Sequence, residues 1–225
     1  FHDFLFQHRQ EASWVVNIGG ISNLTYLPGT PDSSTFGFDC GPGNALLDAH
    51  YRQYHDDAPY DINGDWASTG KNYPELLQAL LQDPFFQQPH PKSTGKEYFN
   101  LDWLKQHQQC IKGNIPIADI QRTLLELTAQ SIHHAIRKTN LSGKTLWVCG
   151  GGSHNTCLMT RLQSISNCQI RSTEEHQIPA DWLEACAFAW LAYRHIKHMA
   201  TPLKQSTGAK NNAILGALWP ARLTR

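Results

Sequence analysis

The 225-residue chain has no excess charge of either sign: 19 Lys and Arg stand against 19 Asp and Glu. With neither a net field nor a run of like charge, nothing in it would draw a nucleic-acid backbone or an anionic membrane surface. Long apolar runs are also missing; the longest, around Ala185 to Tyr193, is far short of the roughly 20 residues a membrane span needs. No Cys-x-x-Cys pair occurs. The six cysteines, Cys40, Cys110, Cys149, Cys157, Cys168 and Cys186, are scattered, several within apolar segments where a reduced thiol acts as a small hydrophobe. That usage and the lack of a charged-then-apolar leader point to a soluble protein of the reducing cytoplasm. Neither a repeat nor a low-complexity tract is visible. The opening FHDFLFQ has no methionine, cap or polar tail, so the chain is read as starting in mid-protein.

What is present is enough apolar material, 40% of residues, for one large domain or two small ones. Trp14 to Asn17 and Leu24 to Leu27 read as strands around a Gly19-Gly20 turn, and Ser34 to Phe38 as a third. GPGNALLDAHYRQYH suits a helix beginning near Gly43 or Asn44. Residues 59–114, punctuated by Pro74, Pro84, Pro89 and Pro91, read as a helical insertion in a unit formed by 1–58 and 115–225. Ile117 to Lys138 is the clearest helix, with Asp119 near its start and Arg137 and Lys138 at its end. KTLWVCGGG gives a strand, SHNTCLMTRLQSI a helix, CQIRST a strand and PADWLEACAFAWLAYRHIKHM a long helix. The β-β-β-α-(insert)-α-β-α-β-α order predicts an α/β fold whose mixed five-stranded sheet opens with a hairpin.

Ligands of open α/β sheets sit beyond the carboxyl ends of strands. Three glycine-rich loops qualify: GGISN, DCGPGN and GGGSHN. Each alone is weak, since a Gly-Gly turn is usually only a turn and GGGSHN is an ordinary strand-to-helix connection. Asp39 is a sharper candidate: a carboxylate at a strand's end beside a helix start is placed as a general base should be. KSTGK at Lys92 to Lys96 is not a Walker A loop, because His90 and Glu97 stand where glycine and a hydroxyl residue are required. Glu184 lies on the final helix, where an exposed or capping role is the usual one. His195 and His198 have metal-ligand spacing but no companion ligands, and no metal-binding residue is assigned.

Together these motifs are more specific. NIGGISNLTYLP, FDCGPGNALLD, YDINGDWASTGK, PKSTGKEYFN, VCGGGSHN, LEACAFAWLA and TGAKNNAILGALWP occur in an order and spacing that resemble the anhydro-N-acetylmuramic acid kinases. The resemblance covers nearly the whole chain. It implies a lobe of the hexokinase, actin and Hsp70 superfamily (ribonuclease H-like), specifically the second, C-terminal lobe of an ATP-binding pair. It also implies an enzyme that opens a 1,6-anhydro sugar ring and phosphorylates O6 with ATP and Mg2+. In that frame Asp39 is the catalytic base and Glu184 binds sugar. Nucleotide contacts fall on Asn17, Gly19, Gly20, Ser22 and Asn23, on Gly41, Gly43 and Asn44, and on Gly150, Gly151, Gly152 and Asn155.

The chain departs from the family pattern at Cys40 (usually Thr), Asn63 (commonly Asp), Lys96 (usually Arg) and His154 (commonly Arg). No stretch resembles the family's first phosphate loop, Gly-Thr-Ser-x-Asp-Gly. The resemblance therefore implies half a nucleotide cleft, a missing N-terminal lobe, a homodimer in the full-length protein and little activity from this chain alone. A nucleotide-binding regulatory module of the same fold, an interaction domain with merely structural glycine loops, and a sugar kinase of other specificity remain the alternatives.

Overall fold

A computed structural model describes residues 1–30, 34–201 and 209–219. A short helix, α1 (His2–Leu5), precedes β1 (Ser13–Ile18), β2 (Ile21–Leu27) and β3 (Phe36–Pro42), after which the chain enters α2 (Asn44–Tyr51). Four helices occupy the next stretch: α3 (Asp65–Thr69), α4 (Pro74–Leu81), α5 (Pro84–Gln87) and α6 (Leu101–Gln108). The long α7 (Ile117–Lys138) leads to β4 (Thr145–Cys149), α8 (Thr156–Ile165), β5 (Gln169–Ser172) and α9 (Leu183–Ile196). Thr207, Gly208 and Pro220 of the closing motif lie outside the described residues.

The sheet order is β3-β2-β1-β4-β5. β1 pairs antiparallel with β2 and parallel with β4; β2–β3 is antiparallel and β4–β5 parallel. This is the mixed sheet with an opening hairpin that the strand order predicts. Side-chain alternation along the strands divides the core in two. Trp14, Val16, Ile18, Leu24, Phe38, Cys40, Leu146 and Val148 face a large cluster shared with α2, α4 and α7. Val15, Leu27, Trp147 and Cys149 face a smaller cluster with Phe6, Ala180 and Leu183. Residues 59–114 carry no strand, and their Leu76, Leu80, Phe85, Phe99 and Trp103 join the larger cluster. α7 is buried along most of its length because α2, α3, α4, α8 and β3 all pack on it.

Three boundaries differ most from the sequence reading: β2 begins at Ile21 rather than Leu24, so Ile21, Ser22 and Asn23 of the expected GGISN loop are strand. β3 runs on through Asp39, Cys40, Gly41 and Pro42, so most of the expected DCGPGN loop is strand. Its pairing with β2 extends to Ile21↔Pro42, with a register shift between Ser22 and Asn23. Asp39 therefore stands within the strand, opposite Asn23. The expected last helix divides into a single 3₁₀ turn (Ala180–Trp182) and α9, and its apolar side is largely uncovered: Trp182 and Phe188 are each 66% exposed.

Candidate active site

The three glycine loops meet at the carboxyl ends of β1, β3 and β4. The backbone N–H groups of Gly43, Asn44 and Ala45, at the start of α2, donate to the carbonyls of Gly20, Gly19 and Gly20 at 2.9, 2.8 and 3.1 Å. The turn thus caps a helix whose N-cap, Gly43, has no side chain to do so. A trans peptide opposes its C=O and N–H, so pointing the Gly19 carbonyl at α2 aims the Gly20 N–H away from it. The α2 amides are already used within the protein, whereas the Gly20 N–H lies on the side of the turn away from them. The Asn44 side chain adds a bond to the Ile18 carbonyl at 3.2 Å, and the Thr128 hydroxyl of α7 braces the Gly43 carbonyl at 3.1 Å.

GGGSHN closes in from β4. Gly150 holds φ +77°, and a Cβ there would strike the Asn17 side chain and the Ile18 carbonyl; one at Gly152 would strike Ile18. Glycine is required at these positions by close approach of one strand end to another. Gly151 lies beside the Asn44 amide. The Asn155 side chain accepts from the Leu158 N–H at 2.9 Å, so its visible work is capping α8. A single 3₁₀ turn, Gly151–His154, precedes it, and the His154 Nε2 lies 3.0 Å from the Asp181 carboxylate.

Asp39 is the hub. Its Oδ1 accepts from the Asn23 amide at 2.9 Å, and its Oδ2 from the Ser93 hydroxyl and the Thr94 N–H, both at 2.9 Å. Its own N–H donates to the Lys92 carbonyl at 3.0 Å. Lys96, four residues on, lays its stem over Gly20 in the space a Cβ would need. The KSTGK segment, which fails as a Walker A loop, is thus folded onto both the carboxylate and the turn. Sequence reasoning missed Ser93 and Thr94; the available signal was the segment's own place among the family motifs.

A cleft of about 790 Å³ opens on the smaller-cluster face of the sheet, lined by Asn17, Asn23, Thr25, Arg9 and, from the first turn of α9, Glu184. Asn17, Asn23 and Glu184 are thereby brought together, with Asp39 bonded to Asn23. Ser22 is not: alternation turns it to the opposite face, fully buried, its hydroxyl without a hydrogen-bond partner among the described residues. Gly41 is likewise a packing residue, with φ +148° and the Phe86 ring where a Cβ would stand.

The profile of the family described as anhydro-N-acetylmuramic acid kinase matches residues 1–221. The chain belongs to this family. It is 46% identical over 220 residues to the anhydro-N-acetylmuramic acid kinase of Coxiella burnetii (strain RSA 493 / Nine Mile phase I), covering 97% of this chain and 58% of the relative. To that of Pseudomonas fluorescens (strain Pf0-1) it is 46% identical, covering 98% and 60%, and to that of Nitrosomonas europaea 45%, covering 98% and 60%. The chain spans about three-fifths of these relatives. Among solved structures, the activator of the 2-hydroxyisocaproyl-CoA dehydratase from Clostridium difficile with bound ADPNP superposes with a TM-score of 0.50 at 13% identity. It covers 84% of this chain and 62% of that one. That likeness concerns the fold alone.

Within the kinase family pattern, the departures have physical readings. Cys40 is 1% exposed and burial pushes its thiol far up, so it stays neutral and packs as a hydrophobe. Asn63 holds φ +57°, a left-handed conformation that asparagine tolerates well. Among the described residues, no group of three His, Cys, Asp or Glu could hold a metal ion, and no helix is long and apolar enough to cross a membrane.

Proposed function

We propose that this chain is the lobe of an ATP-dependent sugar kinase carrying the base and the second phosphate loop. Its substrate is anhydro-N-acetylmuramic acid and its product N-acetylmuramic acid 6-phosphate. The observation that carries the reading is the Asp39 carboxylate, oriented by three donors at the carboxyl end of the sheet beside the Gly19-Gly20 turn. Asp39 takes a proton from water as the water oxygen bonds to the anomeric carbon. The bond from that carbon to O6 breaks, and O6 then takes the γ-phosphoryl group while the β–γ bridging oxygen leaves with ADP. Glu184, across the cleft from Asn23, orients the sugar.

The Gly20 N–H faces the phosphates, and the Gly150–Gly152 stretch the adenosine. Magnesium arrives with ATP: such an ion keeps several waters, is held chiefly by phosphate oxygens and neutralises charge on them, needing no cluster of three carboxylates from this lobe.

The test is coupled ADP release by the protein at the full length of its relatives, with and without the anhydro sugar, alongside Asp39→Asn. Sugar-dependent release that falls at least about a thousandfold in the variant is the expected outcome. Nucleotide binding without sugar-dependent turnover would instead mark a regulatory module of the same fold.

A further inference from the structure

We infer that residues 92–96 are a working strap of this site, in which Ser93 and Thr94 position the Asp39 carboxylate and Lys96 contacts the phosphate chain. The inference rests on the reading of Asp39 as the base.

A carboxylate has about four acceptor sites. Ser93 Oγ and Thr94 N take both on Oδ2, while Asn23 takes one on Oδ1. The carboxylate is locked about its last torsion, and Oδ1 alone keeps a lone pair for the proton of water. The strap is itself anchored: the Asp39 N–H binds the Lys92 carbonyl, and the Lys92 ammonium reaches the Phe85 carbonyl at 2.8 Å, at the foot of α5. The Ser93 hydroxyl is spent on the Asp39 carboxylate, so it acts through Asp39.

Lys96 supplies the other half. Its Cε, Nζ and Cδ occupy the space over Gly20 that any side chain there would need, so this glycine admits a cation onto the turn. Among the described residues Lys96 makes no ion pair within 4.0 Å. Its charge is felt at Asp48, whose carboxyl it pulls down. An ammonium without an ion pair, held over the Gly19-Gly20 turn, is a site for a polyanion, and lysine meets phosphate as a point charge without the fork of arginine. One short segment thereby fixes the distance between the group that activates water and the group that meets the transferred phosphoryl.

The experiment uses Ser93→Ala, Ser93→Thr, Lys96→Met and Lys96→Arg in the full-length protein. ADP release with the anhydro sugar, ATP affinity by titration and thermal midpoint are measured for each. Ser93→Ala is expected to lower kcat roughly tenfold to a hundredfold, the scale of a misplaced catalytic group, with ATP affinity and midpoint unchanged; Ser93→Thr restores most of it. On an Asp39→Asn background Ser93→Ala adds nothing, as it must if it acts through Asp39. Lys96→Met weakens ATP binding about tenfold, and Lys96→Arg keeps it within a few-fold. Unchanged kcat in Ser93→Ala, or a loss tracking a lowered midpoint, overturns the positioning role. Unchanged ATP affinity in Lys96→Met overturns the phosphate contact. Full turnover in Asp39→Asn sinks the base reading itself, which the Lys96 titration does not depend on.

Discussion

Asp48, one turn into α2, shows how a single side chain registers the site around it. Burial pushes its carboxyl up to about 6 from an ordinary 3.8, against the pull of Arg52 and Lys96. A raised folded value means the folded state holds the proton more tightly than the unfolded chain. The stability this contributes is complete below pH 3.8 and lost as pH rises through 6. Asp48→Asn is therefore expected to stabilise the protein at pH 7.5 by about 1 kcal/mol, a figure reduced for partial exposure. The gain vanishes near pH 3.5. Urea unfolding at the two pH values reads it directly, and an equal gain at both would contradict the burial argument.

Among the elements, α7 and α8 hold the loops in place. α7 carries Glu126, 2% exposed, whose carboxylate accepts two bonds of 2.6 Å from Arg161 of α8. Burial alone would raise its pKa, but Arg161 and Gln130 prevail and hold it below the ordinary value. α8 in turn begins at Asn155, immediately after GGGSH. If Asn155 works mainly as a cap, Asn155→Ala costs about 1 kcal/mol of stability while Asn155→Asp, an equal cap, costs almost nothing. Thermal unfolding of both variants checks this. Loss of ATP affinity in Asn155→Asp at an unchanged midpoint would show that the amide also touches nucleotide.

At the scale of the whole molecule the cleft lies open on one side of a single sheet. Asn17 and Asn23, the latter bonded to Asp39, stand on one face of the sheet with Glu184 of α9 beside them, and α9 leaves Phe188, Tyr193 and Ile196 more than half exposed. Phosphoryl transfer depends on positioning and on a site closed to water, where charges act strongly. The 225-residue chain by itself is therefore expected to release ADP in response to the sugar at less than about a thousandth of the full-length rate. Comparable turnover by both forms would show that this lobe suffices.

Much of this was legible in the chain itself. Alternating β-branched residues around Gly19-Gly20 dictate a hairpin, and the periodicity of Ile117 to Lys138 with its terminal charges dictates a helix, because both signals are local. The order of those elements already implied the mixed sheet. Three features came only with the tertiary structure. β3 continues through Pro42 because β2 is there to pair with it, overriding the turn character of Gly41 and Pro42. Ser22 turns away from the cleft because β2 extends back to Ile21, and alternation then places Ser22 on the buried face with Leu24. Ser93 meets Asp39 across 54 residues of chain, a contact that no local propensity encodes. Pairing, register and long-range contact depend on which surfaces meet, so the sequence determined the elements and their order, whereas packing decided which side chains form the site.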